Sequence, residues 1–202
     1  MGTRDQIIDA AARVMTELGL ARTTTKEIAR AAGFSEATLY KHFTSKEELF
    51  LDVLQERLPR FRATAERRAE QAGEGTIRGN LVELARLALA FYGRSVPMAA
   101  SIFAEPQLLA RHREATRRVG VGPHRANEFL SAYLRAEQEC GRLPTGANPD
   151  TVAALLLGAC FQRAFLRNFA GEENDEQVDE QFVTDVVDTL LRGLSPEGRE
   201  GG

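Results

Sequence analysis

Apolar residues recur at helical spacing along nearly the whole chain, and no useful stretch alternates with the period of two that a half-buried strand requires. Ile7, Ile8, Ala11, Val14, Met15 and Leu18 form one stripe, with Thr3 a candidate cap and Gly19 the stop. A short helix follows, capped by Thr25, with Ile28, Ala29 and Ala32 on its apolar face and Gly33 ending it. Phe34 then reads as a wedge in a tight turn, and Ser35 caps a third helix with Leu39 and Phe43 at i, i+4. Ser45 and Glu48 form a capping box ahead of Leu49, Phe50, Val53 and Leu54.

The same reading continues to the C-terminus. Pro59 should end or kink the fourth helix near Leu58, with Phe61 to Gln71 as its continuation. After the Gly73-Glu74-Gly75 break, Thr76 caps a helix striped by Leu81, Leu84, Leu87, Ala88 and Phe91. Pro97 is expected to open a short new helix holding Met98, Ile102 and Phe103, and residues 106–119 another. Pro123 opens a helix with Phe129, Leu130, Tyr133 and Leu134, and two long helices, 149–170 and 176–194, finish the chain. The fold class is all-α: an N-terminal three-helix domain and a larger helical domain.

Helix, tight turn, helix over residues 25–43 is a supersecondary unit whose second helix can enter a DNA major groove. The segment from Thr3 to Phe50 resembles the DNA-binding domain of the TetR family of bacterial regulators. The matching residues are Thr23-Thr24-Thr25, Ile28-Ala29, Ala32-Gly33, Ser35, Thr38-Leu39-Tyr40, His42-Phe43, Ser45-Lys46-Glu47 and Leu49-Phe50. The resemblance implies that Thr25, Tyr40, His42 and Lys46 hold the DNA backbone. It places Ser35, Glu36, Ala37, Thr38 and Lys41 at the base edges, where sequence is read. Lys41 can donate to guanine, Thr38 can touch a thymine methyl and Glu36 can accept from cytosine N4. Glu36 serves equally well as a favourable charge at the positive end of its helix.

The resemblance also implies a division of labour: residues 1–50 read DNA, a connecting helix runs from about 45 to 71, residues 51–195 bind a ligand and dimerise, and 196–202 form a flexible tail. The last two helices are apolar on more than one stripe and so need more than one neighbour. By resemblance Leu155, Ala159, Leu166, Val183, Val187 and Leu190 meet a second copy; a monomeric core would use the same residues. Leu87, Phe91, Tyr92, Met98, Phe103, Phe129, Tyr133, Phe161 and Phe165 are candidate lining for a small, largely apolar effector, although such side chains also make ordinary core.

Composition refines this picture. The chain has 202 residues and a formal charge of −3, which permits DNA binding because the relevant field is local. All three lysines, Lys26, Lys41 and Lys46, lie in the helix-turn-helix region. An acidic run from Glu172 to Asp188, without a basic residue between Arg167 and Arg192, would be repelled by DNA or would simply solubilise that end. Cys140 and Cys160 lack metal or redox spacing, and His112 and His124 have no carboxylate at ligand spacing, so neither cofactor nor metal is expected. No nucleophile elbow or phosphate loop suggests an enzyme. Arg4, Asp5 and Asp9 interrupt any signal peptide, and no apolar run is membrane-spanning, so a cytoplasmic protein is expected. The implied function is a homodimeric repressor released from a palindromic operator by an effector. The alternative is a ligand-independent or architectural DNA binder on the same fold.

Overall fold

The computed structural model describes residues 2–57, 59–119, 122–172 and 175–194. Among these residues are ten helices and no strand: α1 (Thr3–Arg22), α2 (Thr25–Ala32), α3 (Glu36–Tyr40), α4 (Lys46–Arg57), α5 (Pro59–Glu70), α6 (Ile77–Ala104), α7 (Pro106–Val119), α8 (His124–Glu139), α9 (Pro149–Ala170) and α10 (Glu176–Leu194). The tail 196–202 and the side chains of Leu54 and Met98 lie outside the described residues. The helices pack as two compact units, Met1–Leu58 with Arg94–Gly122 and Pro59–Gly93 with Pro123–Gly202.

Caps explain the element ends. Gly2, not Thr3, precedes α1, and Gly19 departs from helical geometry (φ 75°, ψ 158°), so the last residues through Arg22 follow a kink. The α2 cap is Thr24 rather than Thr25: Glu27 N–H donates to Thr24 Oγ1, and the Glu27 carboxylate accepts from Thr24 N–H at 2.9 Å. Asn148 caps α9 with Pro149 in its first turn, and Thr76 Oγ1 accepts from Gly79 N–H at the start of α6.

The expected break at Pro97 is absent, and α6 continues through it. A proline inside a helix removes the donor that would reach the carbonyl four residues back. Here that carbonyl, Gly93 O, accepts from Asn168 Nδ2 of α9 at 3.2 Å. A side chain distant in sequence replaces the missing backbone bond.

In the first unit, Ile7, Ile8, Ala11 and Met15 of α1 pack with Ile28, Leu39, Phe43, Leu49, Phe50 and Val53, and Phe34 closes the turn. Ile102 and Leu108 complete this core, so α7 and the end of α6 pack with the three N-terminal helices and α4. The second unit is built on Phe61, Leu81, Leu84, Leu130, Tyr133, Leu156, Cys160, Val183 and Val187. Val183 and Val187, expected at a dimer interface, have no exposed surface and belong to this core. Phe182, Val186, Leu190 and Leu191 are partly buried against the same core, and the exposed positions Gln181, Asp185, Thr189 and Arg192 are polar, so these apolar residues of α10 are used within the chain.

Three acids of the acidic run are held in ion pairs. Asp179 pairs with Arg167 at 2.5 Å, Glu180 with Arg86 at 2.6 Å and Asp188 with Arg78 at 2.6 Å, all within the second unit. Glu137 and Tyr133 are fully buried there, Glu137 beside Arg142 at 3.3 Å.

Candidate nucleic-acid interface

Local chemistry fixes the helix-turn-helix. Gly33 takes the left-handed conformation (φ 78°) that ends α2, and Phe34 N–H donates back to Ala29 O at 2.9 Å, a double closure that sets the turn. Ser35 then caps α3: its Oγ accepts from Thr38 N–H at 3.2 Å and lies 2.9 Å from Thr38 Oγ1. Leu39 and Phe43 sink into the core. Their burial turns the rest of α3 outward.

Ser35, Ala37, Tyr40, Lys41 and His42 are exposed and Glu36 and Thr38 half-exposed, so the candidates on α3 and at its ends all remain accessible. Tyr40 is 53% exposed, its ring packed only in part and its hydroxyl within 3.3 Å of Thr25 Oγ1. Thr25, which does not cap α2, donates instead to Glu36 at 2.5 Å.

Lys46 has another use. Its ammonium donates to Leu20 O at 2.8 Å and Thr23 O at 2.9 Å, with Ala21 O at 3.4 Å. These carbonyls end α1, so Lys46 caps that helix. Burial pushes its pKa down, against the pull of Glu47 and Glu105. The Ser45–Glu48 box is shared: Ser45 Oγ accepts from Glu48 N–H at 3.0 Å, while the Glu48 carboxylate accepts from Thr44 N–H at 2.6 Å, one residue earlier than expected.

Sequence reasoning missed what braces this reader from behind. Arg111 of α7 pairs with Glu47 at 3.1 Å, and the His112 ring lies 5.5 Å from that of Phe50. Among the described residues His112 Nδ1 is buried without a hydrogen-bond partner, and burial lowers its pKa. No local pattern announces a contact between residues so far apart in the chain.

The effector candidates are only partly gathered. In the second unit Phe91 lies edge-on to Tyr92 at 5.4 Å, Tyr92 edge-on to Phe161 at 5.5 Å, and Phe165 stacks on Phe161 at 6.5 Å. Phe169 extends this series at 6.2 Å. Leu87 packs beside the core, and burial raises the Tyr92 hydroxyl pKa to about 12. Phe129 sits apart, beneath the guanidinium groups of Arg62 and Arg125, and Tyr133 is core. Phe103 belongs to the first unit and is 76% exposed. One surface cleft is lined by Arg78, Asp188, Leu191 and Arg192, and another by residues of α7 with Ser45 and Glu47. Neither holds the aromatic series. Among the described residues no three His, Cys, Asp or Glu could share a metal ion, and no helix is long and apolar enough to cross a membrane.

Known proteins agree with this geometry. Residues 7–53 match the family of bacterial regulatory proteins, tetR family. An HTH-type transcriptional regulator of Bacillus subtilis, YvkB, is 24% identical over 96% of this chain and 98% of its own. A TetR-family transcriptional regulator from Mesorhizobium loti superposes with a TM-score of 0.72 at 23% identity, over 95% of this chain and 96% of that one. The regulator FadR from Bacillus subtilis, solved in complex with stearoyl-CoA, gives 0.69 at 18% identity over 95% and 99%. At these identities the structural likeness is one of fold. The helix-turn-helix of residues 7–53 is thus similar to that of the tetR family of bacterial regulatory proteins, and a relative that matches along nearly the whole chain is a transcriptional regulator.

Proposed function

We propose that the chain is a cytoplasmic, non-enzymatic repressor that reads a palindromic operator as a homodimer and leaves it when a small, largely apolar effector binds. The observation that carries this is the outward surface of α3, where Ser35, Ala37, Tyr40 and Lys41 stand exposed on a helix locked from behind by Leu39 and Phe43. Residues 1–50 read DNA, and residues 51–195 dimerise and bind the effector, with 45–71 as the hinge. Thr25, Tyr40 and His42 hold phosphates; Glu36, Ala37, Thr38 and Lys41 face bases.

A second copy fits the exposed face of α9. Leu155 is 56% exposed, Leu166 53% and Phe169 83%, an apolar surface that a monomer rarely leaves to water. Two-fold pairing would set the recognition helices about 34–36 Å apart, one turn of duplex. An effector among Phe91, Tyr92, Phe161 and Phe165 would weaken DNA binding by its preference for the other conformation, typically about 1–3 kcal/mol. That FadR, of the same fold, was solved with stearoyl-CoA supports an apolar ligand. Sedimentation of the protein with a bound duplex tests the assembly: two chains per duplex are expected, and one chain with full affinity would contradict it.

A further inference from the structure

Three side chains of the helix-turn-helix form a directed chain of hydrogen bonds. Thr25 Oγ1 donates to Glu36 Oε1 at 2.5 Å and lies 3.3 Å from the Tyr40 hydroxyl. A carboxylate only accepts, and a hydroxyl carries a single proton. With the Thr25 proton on Glu36, Tyr40 is the donor in the longer contact, and both hydroxyl protons run toward one carboxylate. Thr25 and Tyr40 are the hydroxyls assigned above to DNA phosphates. A phosphate oxygen is also an anionic acceptor and needs the same two protons. Glu36 therefore takes, in the free protein, the place a phosphate takes in the complex. It is also the first residue of α3, where a carboxylate can accept from cytosine N4 in the major groove.

Resting on that DNA-binding reading, we propose that Glu36 is a specificity-determining residue that acts through Thr25 and Tyr40. On a non-cognate duplex it keeps both hydroxyls turned from the phosphates. On the cognate duplex a base-edge donor draws the carboxylate away and frees them. Discrimination then arises partly from backbone contacts, which by themselves carry no sequence information.

The test measures binding by fluorescence anisotropy to the duplex that the wild-type chain selects from a random pool and to a scrambled duplex. Glu36→Gln, which keeps the shape and removes the charge, should tighten binding to scrambled DNA by about tenfold, the scale of one hydrogen bond to a charged group, and tighten binding to the selected duplex less. In a Thr25→Val/Tyr40→Phe chain the gain should shrink to about twofold, the residue of plain charge repulsion. An equal gain in both backgrounds would make Glu36 a repelling charge alone and overturn the proposal. So would a loss confined to the selected duplex, which would make it a base contact alone. A wild-type chain that selects no duplex overturns the DNA-reading function itself, a result distinct from either.

Discussion

Lys46 shows how a residue type acquires its role from its surroundings. As one of three lysines in the chain it reads as a phosphate ligand, yet its ammonium is bonded to the carbonyls that end α1. Lys46→Met should therefore lower stability by about 1–2 kcal/mol, the scale of hydrogen bonds from a charged donor, and lower Tm by several degrees. An unchanged melting curve with weakened DNA binding would return Lys46 to the backbone-contact set. Acid should act through other residues. Hydrogen bonds from Thr24 hold the Glu27 carboxyl below its ordinary 4.5, and those from Thr44 do the same for Glu48. Burial holds His112 below its ordinary 6.5, against the charge of Glu47. In each case the unfolded chain takes up its proton at the higher pH. The stability these groups contribute is complete above the unfolded values and lost as pH falls through the folded ones. Tm measured from pH 7 downward should fall first by a His112 component, which His112→Leu removes, and again below about pH 4.5. A rise on acidification would contradict this assignment.

At the scale of elements, the ends legible in sequence are those fixed by neighbours three or four residues away. Gly33, Ser35 and the Ser45–Glu48 pair act locally, so the helix-turn-helix can be read directly, apart from single-residue shifts such as Thr24 for Thr25. Pro97 is the counterexample, because the group that replaces its missing donor lies 75 residues from the carbonyl it serves. Asn168→Ala should cost about 1 kcal/mol in the natural chain and distinctly less with Pro97→Ala, where the backbone bond is restored. Equal costs in a double-mutant cycle would show that Asn168 does not replace that bond. Gly93 adds a steric term, since a Cβ there would stand 2.5 Å from Arg167 Nη2. Moving that nearly buried guanidinium strains its pair with Asp179, so Gly93→Ala should lower Tm even in a helix that otherwise favours alanine. The brace of Arg111 and His112 on α4 had no local signal either.

For the whole molecule, apolar stripes announce that α9 and α10 are buried without saying by what. Leu155, Leu166, Val183 and Val187 all carry the same spacing, but the first two face outward and the last two form the core. Substitution should separate them. Leu166→Glu should leave a folded chain that sediments as a monomer and loses affinity for an inverted repeat. Val187→Asp should unfold the second unit, because an unpaired carboxyl in that core costs several kcal/mol. A Leu166→Glu chain that remains dimeric would move the interface elsewhere. Symmetric reading of DNA by two outward-facing α3 helices can be checked by selecting duplexes from a random-sequence pool at near-physiological salt and sequencing those retained. An inverted repeat whose half-sites lie one helical turn apart is expected. Weak, salt-sensitive retention with no enriched sequence would contradict symmetric reading.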